Sequence, residues 1–194
     1  TRLGVLLCIN GTGILNAWTR RLLSDVSYEQ MNELAAEAEA GSDGLCFLPF
    51  GNGAERVLMN RNVGAQLVGL DLNRHDRRHV CRAVQEGIVF SFMYGMEIMA
   101  ETGMPLTTIR AGDANMFMSE IFSASLANIS GAHIELYDTD GALGAARGAG
   151  VGAGIFSSLD EAFATLEKKK TITPDGTDLT EAYGHWKRAL EKTV

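Results

Sequence analysis

The stretch Thr107–Leu126, TTIRAGDANMFMSEIFSASL, constrains the fold most, because it combines three local patterns in a fixed order. Thr107–Ile109 is a short β-type run, and a tight turn of mostly small residues follows at Ala111–Asn115. Apolar residues then recur mainly at four- and five-residue spacing, which predicts a helix over Ala114–Ile129. A helix that begins directly after a strand presents free backbone N–H groups and a positive dipole end to an anion.

Within this turn, Gly112 lets a ligand approach the backbone closely, and either Asp113 or Asn115 is suited to cap the helix. One glycine does not distinguish a nucleotide-binding turn from an ordinary strand-to-helix connection. Both interpretations therefore stay open for this stretch considered alone.

A second turn of the same kind lies near the start of the chain. Leu3–Asn10 is a predicted strand, and Gly11–Gly13 interrupts it. Ile14–Leu23 is a predicted helix with Thr12 as its N-cap and Trp18 on its apolar face. This turn is either a second backbone-donor site beside a phosphate or base, or again an ordinary connection.

The rest of the chain continues the alternation of helices and strands. The first predicted elements are a helix capped by Ser24 or Ser27 and ending near Ala40, a buried strand at Leu45–Leu48 stopped by Pro49, an irregular loop at Phe50–Gly64 and a strand at Ala65–Leu72. A helix at Arg77–Thr102 follows, capped by Asn73 or Asp76 and ended by Gly103 and Pro105. After the central stretch come a strand at Ala132–Tyr137, a small-residue helix at Gly141–Gly154, a helix at Ser158–Lys168, an extended segment at Thr171–Pro174 and a helix at Thr180–Lys192. Such alternation predicts one α/β domain whose helices cover a largely buried sheet.

Composition excludes several classes of protein. The 194 residues are 46% hydrophobic, which is enough for one sizeable core. The net charge is −7 and dispersed, so no basic surface for nucleic acid is predicted. The longest apolar run, Gly87–Ala100, is too short to span a membrane and is predicted as a buried helix. Cys8, Cys46 and Cys81 are odd in number, widely spaced and in or beside apolar runs, which predicts buried, reduced thiols in a cytosolic protein.

The residue patterns supply no complete catalytic set. There is no nucleophile-elbow serine, no Cys-x-x-Cys pair and no Walker-type lysine after a Gly-rich loop. His75 and His79 are four residues apart, but no third ligand is spaced nearby, so no metal site is predicted. The helix Gly141–Gly154 does not fit the dinucleotide fingerprint. The two turns therefore favour a nucleotide-binding unit that lacks its general base.

Five segments together resemble the FGGY-type carbohydrate kinases, most closely the xylulokinase group. They are GVLLCINGTGILNAW (Gly4–Trp18), LCFLPFGNGAERV (Leu45–Val57), AQLVGLDLNRHDRRHVCRAVQEGIVFSF (Ala65–Phe92), IRAGDANMFMSEIF (Ile109–Phe122) and DGALGAARGAGVGAG (Asp140–Gly154). Each segment alone is a modest match, and their common order makes the resemblance specific over most of the chain.

This resemblance implies the actin/hexokinase-like ATPase domain, a ribonuclease H-like fold, as a single C-terminal domain over residues 1–194. It implies a cytoplasmic two-domain enzyme that uses ATP and Mg²⁺ to phosphorylate a sugar hydroxyl. D-xylulose is the expected acceptor, and ribulose, gluconate or glycerol are alternatives. The sugar would bind through an N-terminal domain that is missing here, and the absence of an initiator Met fits such a fragment.

The resemblance also assigns site residues. Gly13 matches the family glycine near the nucleotide, and Gly112 and Ala114 match a GGGA turn that approaches the phosphates and ribose. Asn115 falls near the position where glycerol-kinase-like members place an Asn against adenine. Asp113 replaces a glycine of that turn, and a carboxylate there disfavours a triphosphate unless it points away, caps the helix or contacts Mg²⁺. A divergent regulatory or oligomerisation domain is therefore the alternative.

The family's catalytic Asp and first phosphate loop are expected upstream, so the chain alone is predicted to be inactive. Glu55 and Arg56 match the Glu-Arg of a GERTP motif and are expected to be structural or near the cleft, although Val57-Leu58 replaces the Thr-Pro. Separation from the other domain would expose an interdomain surface. Either disorder of the loop Phe50–Gly64 or a homodimer is expected in response.

Overall fold

The computed structural model describes residues 4–103 and 106–194. Its helices and strands are α1 (Thr12–Leu22), α2 (Tyr28–Ala36), β1 (Cys46–Phe50), β2 (Gly64–Val68), α3 (Arg77–Ala100), β3 (Thr108–Gly112), α4 (Glu120–Ser130), β4 (His133–Tyr137), α5 (Gly141–Gly152), α6 (Leu159–Phe163), β5 (Lys168–Ile172) and α7 (Thr180–Glu191). Short 3₁₀ turns lie at Ser42–Gly44, Arg56–Leu58 and Asn115–Met118.

The strands form two small sheets in place of the single buried sheet predicted. One is the antiparallel pair β1–β2, with Cys46 opposite Val68. The other has the order β3–β4–β5, with β3 and β4 parallel and joined by α4, and β5 antiparallel to β4. Glu135 on β4 joins the three strands, because its carboxylate accepts hydrogen bonds from Arg110 on β3 and Lys168 on β5. The bond from Arg110, followed by those from Tyr137 and Lys168, lowers the pKa of Glu135 to about 2.

Helix α3 lies at the centre of the molecule. Its N-cap is Asp76, which accepts a hydrogen bond from the Arg78 N–H at 2.9 Å, and residues 81–91 are buried. Gly87 lets α3 approach β1 closely, since an added Cβ atom would lie 2.2 Å from the Phe47 carbonyl oxygen. The fully buried Trp186 of α7 donates its indole N–H to that same oxygen at 2.8 Å. One carbonyl group of β1 therefore fixes the positions of two helices.

Several predicted element boundaries are confirmed, and they share a clear local signal. Ser27 forms a capping box with Gln30, Asp76 caps α3, Asp140 caps α5, and α7 begins at Thr180 as predicted. In each of the first three cases a side-chain oxygen accepts a hydrogen bond from the first turn of its helix, which is a property of adjacent residues.

Other boundaries are wrong because non-local contacts decide them. Residues 4–10 form no strand, since no strand of the described chain pairs with them, and Leu3 lies outside the described residues, as does Pro105. Pro49 continues β1 opposite Ala65, which is tolerated in a two-stranded sheet, where β1 pairs on one side only. The helix predicted to reach Lys168 ends at Phe163, because Lys168 begins a strand that pairs with β4.

Three further corrections concern helix and strand ends. Gly11, not Thr12, is the N-cap of α1, and it makes no side-chain capping bond. Helix α2 ends at Ala36, not near Ala40. Strand β2 ends at Val68 because Gly69 has a left-handed φ of 82°, which interrupts the extended path.

The loop 51–63 is structured, in contrast to the disorder that was one of the two expectations for it. The Glu55 N–H donates to the Arg61 carbonyl at 3.0 Å, and a 3₁₀ turn lies between them. Glu55 itself is fully buried and accepts a hydrogen bond from the Asn10 N–H at 2.8 Å. Its structural role, one of the two predicted alternatives, is therefore supported.

Replacing Trp186 by Phe should lower the free energy of unfolding by about 2 kcal/mol, because the Phe47 carbonyl loses its indole donor and a small void remains. The matched control is Trp18→Phe, at a side chain that is 44% exposed, where the expected change is below about 0.5 kcal/mol. Urea denaturation of both variants measures the difference. Equal losses in the two variants would contradict the central role of the Phe47 carbonyl.

Candidate functional site

A cleft of about 690 Å³ brings together Gly13 and Asn115, two of the predicted site residues that lie 102 positions apart in the chain. Its walls come from three elements. They are Gly13 and Asn16 of α1, Tyr28, Glu29 and Asn32 of α2, and Asn115, Met116, Met118 and Ser119 of the segment between β3 and α4. The volume lies within the range of about 300–1,000 Å³ that small-molecule sites occupy.

The α1 wall contains a side-chain oxygen that accepts no hydrogen bond from the described residues. Asn16 Oδ1 is buried and has no hydrogen-bond partner among the described residues. An acceptor left unpaired and shielded from solvent costs about 1–3 kcal/mol. Gly13, in the exposed first turn of the same helix, leaves open space, since an added Cβ atom meets nothing within 4 Å.

The opposite wall is a 3₁₀ turn and not the helix start that the sequence predicts. Asn115 has a left-handed φ of 55°, which Asn tolerates better than most residues and which interrupts a helical path. Helix α4 therefore begins only at Glu120, and the prediction of a helix from Ala114 is wrong. Its N-cap is Ser119, whose hydroxyl accepts from the Phe122 N–H at 3.3 Å, so the caps predicted at Asp113 and Asn115 are wrong too.

The other three predicted site residues lie beside the cleft and do not line it. A Cβ atom on Gly112 would lie 2.1 Å from the Thr139 carbonyl oxygen, so glycine is needed here where the ends of β3 and β4 meet. The Asp113 N–H donates to the Tyr137 carbonyl and the Ala114 N–H donates to the Gly112 carbonyl, each at 2.8 Å. Two of the proposed phosphate donors are thus occupied within the fold, and a role for these residues toward nucleotide remains a prediction.

The Asp113 carboxylate is directed toward β5. It lies 4.0 Å from the Lys169 ammonium, which pairs more closely, at 2.9 Å, with Asp138. The bond from Asp138, with a smaller contribution from Asp113, raises the pKa of Lys169. The ammonium therefore partly neutralises this carboxylate at the carboxyl ends of β3 and β4.

Asn16 and Asn32 belong to no motif, and their position in the cleft is evident only from the structure. Each is a polar amide directly beside a buried core residue, Leu15 or Met31, and this was the only local signal available. Their convergence depends on how α1 and α2 pack against one another and against the β3–α4 segment, which no residue spacing specifies.

The remaining candidates have structural roles. His75 Nδ1 accepts from the Asp71 N–H at 2.9 Å, and His79 contacts the N-cap residue Asp76. Within the described ranges, no group of three His, Cys, Asp or Glu side chains could hold a metal ion, and no helix is long and apolar enough to cross a membrane. The three cysteines are free, as predicted, but Cys8 is only half-buried. Cys46 and Cys81 are buried, and burial raises the pKa of both thiols to about 11.

Comparison with known sequences identifies a family. Residues 4–153 match the model of the FGGY family of carbohydrate kinases, C-terminal domain. A xylulose kinase from Haemophilus influenzae is 34% identical over 105 residues, which are 54% of this chain and 21% of that protein. An L-xylulose/3-keto-L-gulonate kinase from Escherichia coli K12 is 31% identical over 167 residues, 82% of this chain and 32% of that protein.

Comparison with solved structures identifies the same fold. Xylulose kinase from Rhodospirillum rubrum superposes with a TM-score of 0.73 at 27% identity, over 96% of this chain and 38% of that one. A glycerol kinase from Plasmodium falciparum, solved with ADP, superposes with a TM-score of 0.76 at 21% identity, over 96% of this chain and 38% of that one. These matches confirm the predicted actin/hexokinase-like α/β domain. The chain spans about a third of the length of the proteins it resembles.

Substitutions at Gly112 and Gly13 distinguish a glycine that the sheet requires from one that only lines the cleft. Gly112→Ala should lower the free energy of unfolding by about 2 kcal/mol, because its methyl group collides with the Thr139 carbonyl. Gly13→Ala should leave stability unchanged or slightly raised, because the position is open and helical. Thermal unfolding of both variants is the measurement, and a stable Gly112→Ala protein would contradict the close approach of β3 and β4.

Proposed function

The chain belongs to the FGGY family of carbohydrate kinases, and we propose that it is the ATP-binding part of an enzyme that phosphorylates a sugar hydroxyl. The observation that carries this proposal is the cleft of about 690 Å³ that Gly13, Asn16 and Asn115 line together. The start of α1 and the segment after β3 are distant in sequence and both line this cleft, which is the arrangement expected of a nucleotide site between them.

The cleft fits the base of the nucleotide. The Asn16 side chain lines the cleft, and we propose that it turns its unpartnered Oδ1, which is shielded from solvent in the structure, to accept from the exocyclic amine of adenine, while the exposed amide of Asn115 lines the same cleft. Met116 and Met118 add apolar surface of the kind that packs on a base. The glycerol kinase of similar fold was solved with ADP, which supports a nucleotide as ligand of this fold.

In the proposed reaction, this chain binds and orients ATP while another domain supplies the sugar and the base that deprotonates its hydroxyl. Phosphoryl transfer depends mainly on positioning and charge stabilisation, so a rigid base-binding cleft is a direct contribution to rate. When bound, Mg²⁺ neutralises charge on the phosphates.

We propose D-xylulose as the acceptor and the cytoplasm as the location of the enzyme. Two relatives are named for kinases of xylulose, in one case the L isomer, which supports a ketopentose. Gluconate, ribulose and glycerol are the competing acceptors. A gluconate kinase from Lactobacillus acidophilus and the Plasmodium glycerol kinase share this fold, so the fold itself does not select the sugar.

The alternative of a non-catalytic domain was motivated by Asp113. That carboxylate does not line the cleft, and Lys169 lies 4.0 Å from it. An uncompensated carboxylate facing the triphosphate would oppose binding, whereas one beside an ammonium opposes it less. The geometry therefore favours the kinase over the regulatory domain.

Asn16→Ala should weaken MgADP binding about tenfold, because the donor on the base loses its buried acceptor. Isothermal calorimetry on the 194-residue chain and on the complete kinase measures this. The matched control is Asn73→Ala, an exposed Asn outside the cleft, which should bind like the unmodified protein. Equal affinities in all three proteins would exclude Asn16 from the site.

Turnover identifies the acceptor. The complete kinase should release ADP in the presence of D-xylulose faster than with ribulose, gluconate or glycerol, and the 194-residue chain should release none. ADP release by the chain alone would contradict the proposed division of labour. Absence of nucleotide binding in both proteins would support the regulatory domain.

A further inference from the structure

Behind the cleft, one buried amide connects two of its walls. Gln85 of α3 is 1% exposed, and its Nε2 donates to Asn32 Oδ1 at 3.0 Å. Its Oε1 accepts a hydrogen bond from the Ser119 hydroxyl at 2.6 Å. Asn32 and Ser119 both line the cleft, the first on α2 and the second as N-cap of α4. Gln85 itself lies outside the lining.

The surroundings of Gln85 make this connection rigid. Helices α2 and α3 pack through Met31, Ala35 and Cys81, which are fully or almost fully buried, with Ile121 of α4 against the same cluster. Gln85 follows Cys81 by one helical turn and so lies on the same face of α3. An amide held by two hydrogen bonds in such packing has little freedom to change its rotamer.

Stability does not require a polar side chain at this position. Replacing every member of a buried hydrogen-bonded group by apolar side chains of the same shape is nearly neutral for stability, although removing one member alone leaves its partners unpaired. The amide instead fixes the orientation of the Asn32 side chain relative to the Ser119 hydroxyl, because it is hydrogen-bonded to both. Because these groups belong to two adjoining walls, their relative position contributes to the shape of the cleft.

We propose that Gln85 is a positioning residue of the nucleotide site, which holds Asn32 in the orientation that contacts the ligand. This inference rests on the proposed function. Without Gln85, Asn32 regains rotamer freedom, and the bound nucleotide must order it at a cost in affinity. Gln85 touches no ligand, so its effect reaches the nucleotide only through Asn32 and Ser119.

The test is MgADP binding to the complete kinase with Gln85→Met, which keeps the length of the side chain and removes both hydrogen bonds. Affinity should fall about tenfold, and the melting temperature should fall by a few degrees, because Asn32 and Ser119 each lose a hydrogen-bond partner. The control is Ser91→Ala on the same helix, whose buried hydroxyl donates only to the Ile88 carbonyl of α3 itself. This variant should keep the affinity of the unmodified protein.

A double-variant cycle separates positioning from general packing. Asn32→Ala alone should also weaken binding, and the Asn32→Ala/Gln85→Met pair should lose less affinity than the product of the two separate losses. If Gln85→Met does not fold, Asn32→Ala breaks the same connection from the cleft side and must still weaken binding. Unchanged affinity in Gln85→Met or in Asn32→Ala, multiplicative losses, or an equal loss in Ser91→Ala would overturn the inference. Failure of the unmodified kinase to bind MgADP would instead contradict the proposed function.

Discussion

The structure depends on the Phe47 carbonyl of β1, where three elements meet. Gly87 brings α3 against it, and Trp186 of α7 donates a hydrogen bond to it. A strand carbonyl on the edge of a two-stranded sheet would otherwise need water, which the surrounding core excludes. Because this one contact sets the depth of α3 against the sheet, it also sets where the remaining faces of α3 lie.

The position of α3 also determines the geometry of the candidate site. Its buried segment carries Cys81 and Gln85, which hold α2 and the N-cap of α4 in place. The cleft is thus formed by helices that share a rigid neighbour, and its shape follows from core packing more than from loop conformation.

Local chemistry was predictable from the sequence, and long-range pairing was not. Side-chain caps at Ser27, Asp76 and Asp140 involve neighbouring residues, so their helix starts were predicted correctly. The strand at Lys168–Ile172 has no apolar alternation and exists because β4 lies beside it. The left-handed Asn115 delays α4, a feature that Asn permits but does not demand.

The candidate site likewise combines residues that the sequence predicted with residues that only the structure reveals. Gly13 and Asn115 were singled out by a family resemblance and line one cleft, whereas Gly112 is conformationally necessary for the contact between β3 and β4. Asn16 and Asn32 were missed because only tertiary packing gives them a role. An unpaired buried oxygen, such as Asn16 Oδ1, is a signal that requires coordinates.

The most direct test of the account is a crystal structure of the complete kinase with MgADP. The account predicts an adenine base between α1 and the Asn115–Met118 turn, with its amino group within hydrogen-bond distance of Asn16 Oδ1. A nucleotide bound elsewhere on the domain, with this cleft filled only by water, would contradict it.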